Sequence, residues 1–221
     1  MADALLIAGK DLRIELRSKV GLGQMLPFAV LVLVLFGLAL DADDALLTRA
    51  TPGLYWIAVL LAGLLAVQRS FAVEAAPGVT DALRLSGLDP AGYFLGKFAA
   101  IAAQLVALEF VLGLGVVILY GTELGGPALL FAALVGATVS IAAAGTLYGV
   151  LAAGLRVRDT LVPLLLLPAL APVLLGATRA TEAALEGDLG DGWGWCGLLA
   201  LFGVLYLGLG LLFFGTLLEE T

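Results

Sequence analysis

An all-α integral membrane protein with six transmembrane helices is the fold class this sequence predicts, and three observations predict it. Hydrophobic residues fill 62% of the 221 positions and charged residues only 13%, about half the roughly 25% of an ordinary soluble domain; the mean hydropathy is +1.12. The apolar residues gather in six runs of 17 to 28 residues, and about 17–25 suffice to cross a bilayer as a helix. Laid across a membrane, those runs leave nine of the eleven Lys and Arg residues on one side.

Residues 1–21 open the chain as a helix lying on the membrane. Leu5, Ala8, Leu12 and Leu16 share one helical stripe, while Lys10, Arg13 and Arg17 line another, the pattern of an interfacial elbow helix; a solvated charged tail is the competing reading. The spans follow at 22–40, 51–68, 98–120, 127–154, 161–177 and 195–218. The fifth is the shortest and holds Pro163, Pro168 and Pro172. Proline removes a backbone donor and kinks a helix, so this span is expected to be bent or partly re-entrant. In the fourth, Gly145 and Gly149 form a GxxxG, and Gly136, Ser140 and Ala144 extend a ridge of small residues. Such ridges let helix backbones approach closely in lipid. The segment 178–194 is acidic and glycine-rich, with Thr181–Ala184 expected as a short helix.

Basic residues accumulate on the cytoplasmic side of a membrane protein. One side collects Lys10, Arg13, Arg17, Lys19, Arg69, Arg84, Lys97, Arg156 and Arg158; the other holds only Arg49 and Arg179, among eight carboxylates. Both termini are therefore expected in the cytoplasm of a plasma membrane. Tyr55, Trp56, Tyr120, Trp193 and Trp195 then fall at the outer interface, where amphipathic rings prefer to sit. No cleavable signal is expected, because an apolar run follows Lys19 without a cleavage site. The whole chain reads as one membrane domain.

Several function classes drop out. The net charge is −7, which argues against nucleic acid. There is no GxxxxGK[ST] to cradle nucleotide phosphates. With no histidine and a single cysteine, Cys196, the chain lacks the usual base for a Ser or Cys nucleophile, the commonest metal ligand and any disulfide. A non-catalytic chain without a tightly bound cofactor is expected.

Two features carry a mechanism. The connection 71–90 is long and amphipathic: Thr80 caps a short helix Asp81–Leu85, Leu83, Leu85 and Leu88 give it an apolar side, and Gly87 and Pro90 are read as its stop signals. A rigid helix between two spans suits transmission of force from a partner; a loop packed on its own domain is the alternative. The second feature is Glu109, roughly 16 Å into the third span at 1.5 Å per residue. An intramembrane acid is by default a functional hypothesis. It lines a substrate path, relays protons or bonds across a dimer seam, or else it is a neutral carboxyl hydrogen-bonded to a neighbouring helix.

The segment Lys10-Asp11-Leu12-Arg13-Ile14-Glu15-Leu16-Arg17-Ser18-Lys19, followed at once by a span, resembles the start of the haem exporter protein B (CcmB) family, membrane subunits of the cytochrome c maturation ABC transporter. The stretch Arg69-Ser70-Phe71 … Glu74 … Gly78 … Asp81-Ala82-Leu83 … Leu85-Ser86 resembles that family's cytoplasmic loop. Leu95-Gly96-Lys97 then enters the third span, and Glu219-Glu220 ends the chain, as in family members. One departure is Ala75-Ala76-Pro77, where charged residues are expected. The resemblance implies an ABC-2 (type V exporter) permease, a half-transporter that pairs with a second copy of itself. It implies a CcmA-like ATPase carrying ATP and Mg, docked through Glu74, Gly78, Asp81, Leu83, Leu85 and Ser86. CcmC-like and CcmD-like membrane proteins would join them, with haem as cargo. Arg49 and Arg179 would then suit haem propionates, or serve as ordinary interfacial anchors. An ABC-2 permease for a lipid, glycan or drug fits composition and topology equally, and a non-transporting scaffold for a haem-handling partner is a third reading.

Overall fold

The computed structural model describes residues 2–18, 20–40, 44–72, 87, 89–120, 125–153 and 158–220. Within them the chain is helical: α1 (Ala2–Ser18), α2 (Val20–Leu40), α3 (Asp44–Ala72), α4 (Pro90–Tyr120), α5 (Pro127–Ala153), α6 (Arg158–Glu186) and α7 (Leu189–Glu220). Stretches of α3, α4, α5, α6 and α7 are each long and apolar enough to cross a membrane; in α2 the apolar stretch Met25–Leu40 is shorter. Segments 73–86, 121–124 and 154–157 lie outside the described residues, and with them the expected helix Asp81–Leu85 and its cap Thr80.

α5 sits at the centre, packed against α3, α4, α6 and α7. The small-residue ridge expected there splits between two faces, because positions nine apart on a helix point in opposite directions. On one face a Cβ at Gly145 would stand 2.5 Å from Val67 Cγ2, and Gly149 lies against the ring of Phe71, so α3 presses directly on the α5 backbone. On the other, Gly136 faces Leu199, and Ser140 Oγ donates to Leu199 O at 3.0 Å, binding α7. Tyr206 Oη donates to Ala169 O at 2.7 Å, which joins α7 to α6. At the end of the bundle bearing 73–86, the rings of Tyr93 and Phe94 on α4 pack against Phe214 of α7.

Three expectations need correction. The 178–194 segment is no loop with a short helix. α6 continues to Glu186, turns at Gly187 (φ 79°) and passes into α7 at Leu189. The helix persists because its inward face has partners inside the bundle: Trp56 Nε1 donates to Thr181 Oγ1 at 2.9 Å, and Ala183 and Ala184 pack on Leu129. α6 is also one unbroken helix through Pro163, Pro168 and Pro172, so no re-entrant break occurs. Pro90, expected as a stop signal, opens a helix of its own, while the helix it was expected to follow lies outside the described residues. Asp89 accepts the Gly92 N–H at 3.0 Å as an N-cap, with proline at the first helical position, where its missing donor costs nothing.

Candidate functional site

The described residues flanking 73–86 build a polar cluster in an otherwise apolar protein. α1 crosses α4 at Gly92-x-x-x-Gly96. A Cβ at Gly96 would stand 2.6 Å from Ile7 Cβ and 2.8 Å from Ala4 O, and one at Gly92 would stand 3.1 Å from Asp3 Cβ. Only glycine lets the two backbones come so near. The crossing turns Ile7, Asp11 and Glu15 of α1, spaced at one helical turn, inward to the bundle.

There the acids meet cations from the two helices that bracket 73–86. Lys97 of α4 is fully buried, its Nζ 2.8 Å from Asp11 Oδ2. It donates to Ser70 O at 2.9 Å and approaches Ser70 Oγ at 3.3 Å. The Phe71 ring lies 5.1 Å from the same nitrogen, within cation–π range. Arg69 of α3 reaches Glu15 at 3.3 Å, and Lys10 lies 3.1 Å from Asp11 Oδ1. A void of about 20 Å³ among Asp11, Glu15, Arg69, Ser70 and Gln104 is large enough for one water molecule. Lys97 is thus a clamp: one ammonium holds α1, the end of α3 and the start of α4 together.

The second constellation lies in the opposite half of the bundle. A cleft of about 440 Å³ opens between α3, α4, α5 and the end of α6, with walls of hydrocarbon and Glu109 at its base. Glu109 is buried, while Phe110 and Phe131 at the rim are exposed. Thr138 Oγ1 of α5 stands 2.8 Å from both carboxyl oxygens and 2.7 Å from Leu134 O. One hydroxyl proton faces three acceptors, so Thr138 ties the Glu109 carboxyl to the backbone of its own helix. Tyr55 Oη donates to the Glu109 carbonyl at 3.1 Å, tying α3 to α4 at the same level. Chemically, this is an apolar slot with a hydrogen-bonding base.

The remaining residues singled out from sequence are scattered. Glu74, Gly78, Asp81, Leu83, Leu85 and Ser86 lie outside the described residues. On α1, Arg13 and Arg17 are exposed and Lys10 is half-buried. Arg49 and Arg179 are both exposed, near matching ends of α3 and α6, since Gly53 faces Thr178; Arg179 pairs at 2.8 Å with Glu182 on its own helix. From the sequence, Asp11, Glu15, Arg69, Ser70 and Lys97 entered only as parts of the resembling motifs, and Arg69 and Lys97 also as markers of orientation; none was assigned to a site. The available signal was Gly92-x-x-x-Gly96-Lys97: a close-approach motif ending in a lysine, opposite a helix with acids four apart.

A sequence model of the family described as "CcmB protein" matches residues 2–216 of the chain. Among similar proteins, "Heme exporter protein B" of Pseudomonas aeruginosa is 31% identical over 194 residues, 82% of this chain and 82% of that one. The protein of the same name from Haemophilus influenzae is 30% identical over 216 residues, 91% and 89% of the two chains. That from Escherichia coli K12 is 30% identical over 217 residues, 90% and 88%.

Proposed function

The chain belongs to the CcmB family, and from that premise we propose that it is the membrane permease subunit of a bacterial ABC transporter serving c-type cytochrome maturation. ATP hydrolysis takes place on a separate CcmA-like subunit, and this chain couples it to haem delivery or to release of a haem-loaded chaperone. It lies in the inner membrane with both termini cytoplasmic. α2 supplies the sixth span through 22–40, and α1 lies along the cytoplasmic interface as the elbow. A second copy completes the transporter, and CcmC-like and CcmD-like membrane proteins join it.

The observation that carries this reading is the clamp. Segment 73–86 leaves α3 just after Phe71, which is wedged against Gly149 of the central helix, and returns to α4 at a capped N-terminus. Lys97, Asp11, Arg69 and Glu15 bind those two ends to each other and to α1. A push on the segment therefore moves α3, α4 and α1 as a unit instead of being absorbed at a loose joint. Closure of an ATPase pair beneath it would shift this unit against the rest of the bundle, and the apolar cleft beside Glu109 lies between the same two helices and α5.

Charge reversal tests the coupling. Glu74→Lys and Asp81→Lys are expected to leave the chain folded and membrane-inserted while weakening ATPase association and abolishing cytochrome c maturation. Normal ATPase binding and maturation in both variants would sink the assignment of 71–90 as the coupling segment.

A further inference from the structure

α1 contains three acids, Asp3, Asp11 and Glu15, and three bases, Lys10, Arg13 and Arg17. By sequence it is neutral. The fold separates these charges. Asp11 and Glu15 are turned inward and taken up by Lys97 and Arg69, and Asp3 faces the backbone N–H of Asp89 at 3.3 Å. Arg13 and Arg17 remain exposed on the outward side.

Three faces result. At 100° per residue, Ile7, Asp11 and Glu15 form the face against the bundle. Leu5, Leu12 and Leu16 fall together on a second, with Leu5 75% and Leu16 65% exposed. Lys10, Arg13 and Arg17 lie about 110° further round. An acidic protein surface would satisfy the arginines but leave the leucines in water. A bilayer edge meets both demands within one surface: hydrocarbon beneath the leucines, and phosphate oxygens level with the guanidinium groups, which bind them with paired N–H donors.

We propose that the outward face of α1 binds anionic phospholipid headgroups of the cytoplasmic leaflet, with Arg13 and Arg17 as the binding residues. This rests on the interfacial placement of α1 given above. Because the inward face of the same helix holds the ends of α3 and α4, lipid charge bears on the element that carries force from the coupling segment.

The test uses the full chain in nanodiscs of phosphatidylcholine alone or mixed with phosphatidylglycerol. Spin-labelled phosphatidylglycerol and phosphatidylcholine report the relative association of each lipid with the protein. Wild type should prefer phosphatidylglycerol, and Arg13→Gln and Arg17→Gln should each lower that preference about fivefold. Exchange of both arginines for lysine should restore most of it. An unchanged preference in the double glutamine variant would overturn the proposal, as would lost ATPase association at unchanged lipid preference, which would assign the face to a protein. Leu5→Cys and Leu16→Cys, labelled in a Cys196→Ser background and quenched from the lipid phase, keep the two readings apart. Unquenched labels overturn the interfacial placement and the lipid site with it, whereas quenched labels with unchanged preference overturn the lipid site alone.

Discussion

Removing Lys97 should unfasten three elements at once, and a double-mutant cycle with Asp11 measures by how much. The Lys97 side chain is fully buried, and that of Asp11 is 9% exposed. Breaking one partner of a buried ion pair costs about 3–5 kcal/mol, because the survivor keeps its charge without compensation. Here Lys10 stands 3.1 Å from the other Asp11 oxygen, so Lys97→Met belongs at the low end, about 3 kcal/mol. Asp11→Asn strands an ammonium that still donates to Ser70 O, and about 2 kcal/mol is expected. In the double variant neither charge is left, and the residual cost is about 1–2 kcal/mol, chiefly the lost donor to Ser70. The two single costs should therefore exceed the double by about 3–4 kcal/mol. Unfolding in mixed micelles by increasing fractions of sodium dodecyl sulfate, followed by circular dichroism, gives each value. If the single effects add to the double within about 0.5 kcal/mol, the clamp does not hold these helices together.

Other expectations follow from the packing and the cleft. Gly96→Ala brings a methyl group onto Ile7 and the Ala4 carbonyl; because the obstacle includes backbone, α1 should lift from α4, with a loss of about 1–3 kcal/mol and faster amide exchange confined to α1 and the start of α4. Gly149→Ala drives its methyl into the Phe71 ring, a similar loss that Phe71→Leu in the same chain should partly relieve, read by the same unfolding titration. Glu109→Gln should keep stability within about 1 kcal/mol and leave maturation intact, since an amide both accepts from and donates to the Thr138 site; loss of maturation with normal assembly would show that a carboxyl charge is required. Trp56→Phe removes the donor to Thr181 and should cost about 1 kcal/mol while blue-shifting none of the remaining Trp193 and Trp195 fluorescence.

The centres of the helices were legible in the sequence because hydrocarbon length is a counting matter: each apolar run coincides with one of α2 to α7, the fourth as far as Ala153, where the described part of α5 stops. Their ends were less so. A run stops counting at the first polar residues, whereas the helix continues wherever those residues find partners, as α6 does through Thr181 and α4 through Lys97. The clamp was harder to read. Lys97 and Arg69 resemble the basic residues that flank any span, and nothing local separates a solvated topogenic charge from a buried one. What decides is the crossing of α1 over Gly92 and Gly96, which brings together residues some 86 positions apart, Asp11 and Lys97 among them. Glu109 stood out as a cost in lipid; its partner Thr138, 29 residues on, depended on how α4 and α5 face each other.

The most direct test of the permease account is recovery of the tagged full chain from native membranes in mild detergent, with mass spectrometry of what accompanies it and a haem absorption spectrum. The account predicts a nucleotide-hydrolysing subunit in stoichiometric amount together with a haem-handling membrane protein, and loss of the ATPase subunit when Glu74 and Asp81 are reversed in charge. Recovery without an ATPase, at undiminished yield of folded chain, would contradict it.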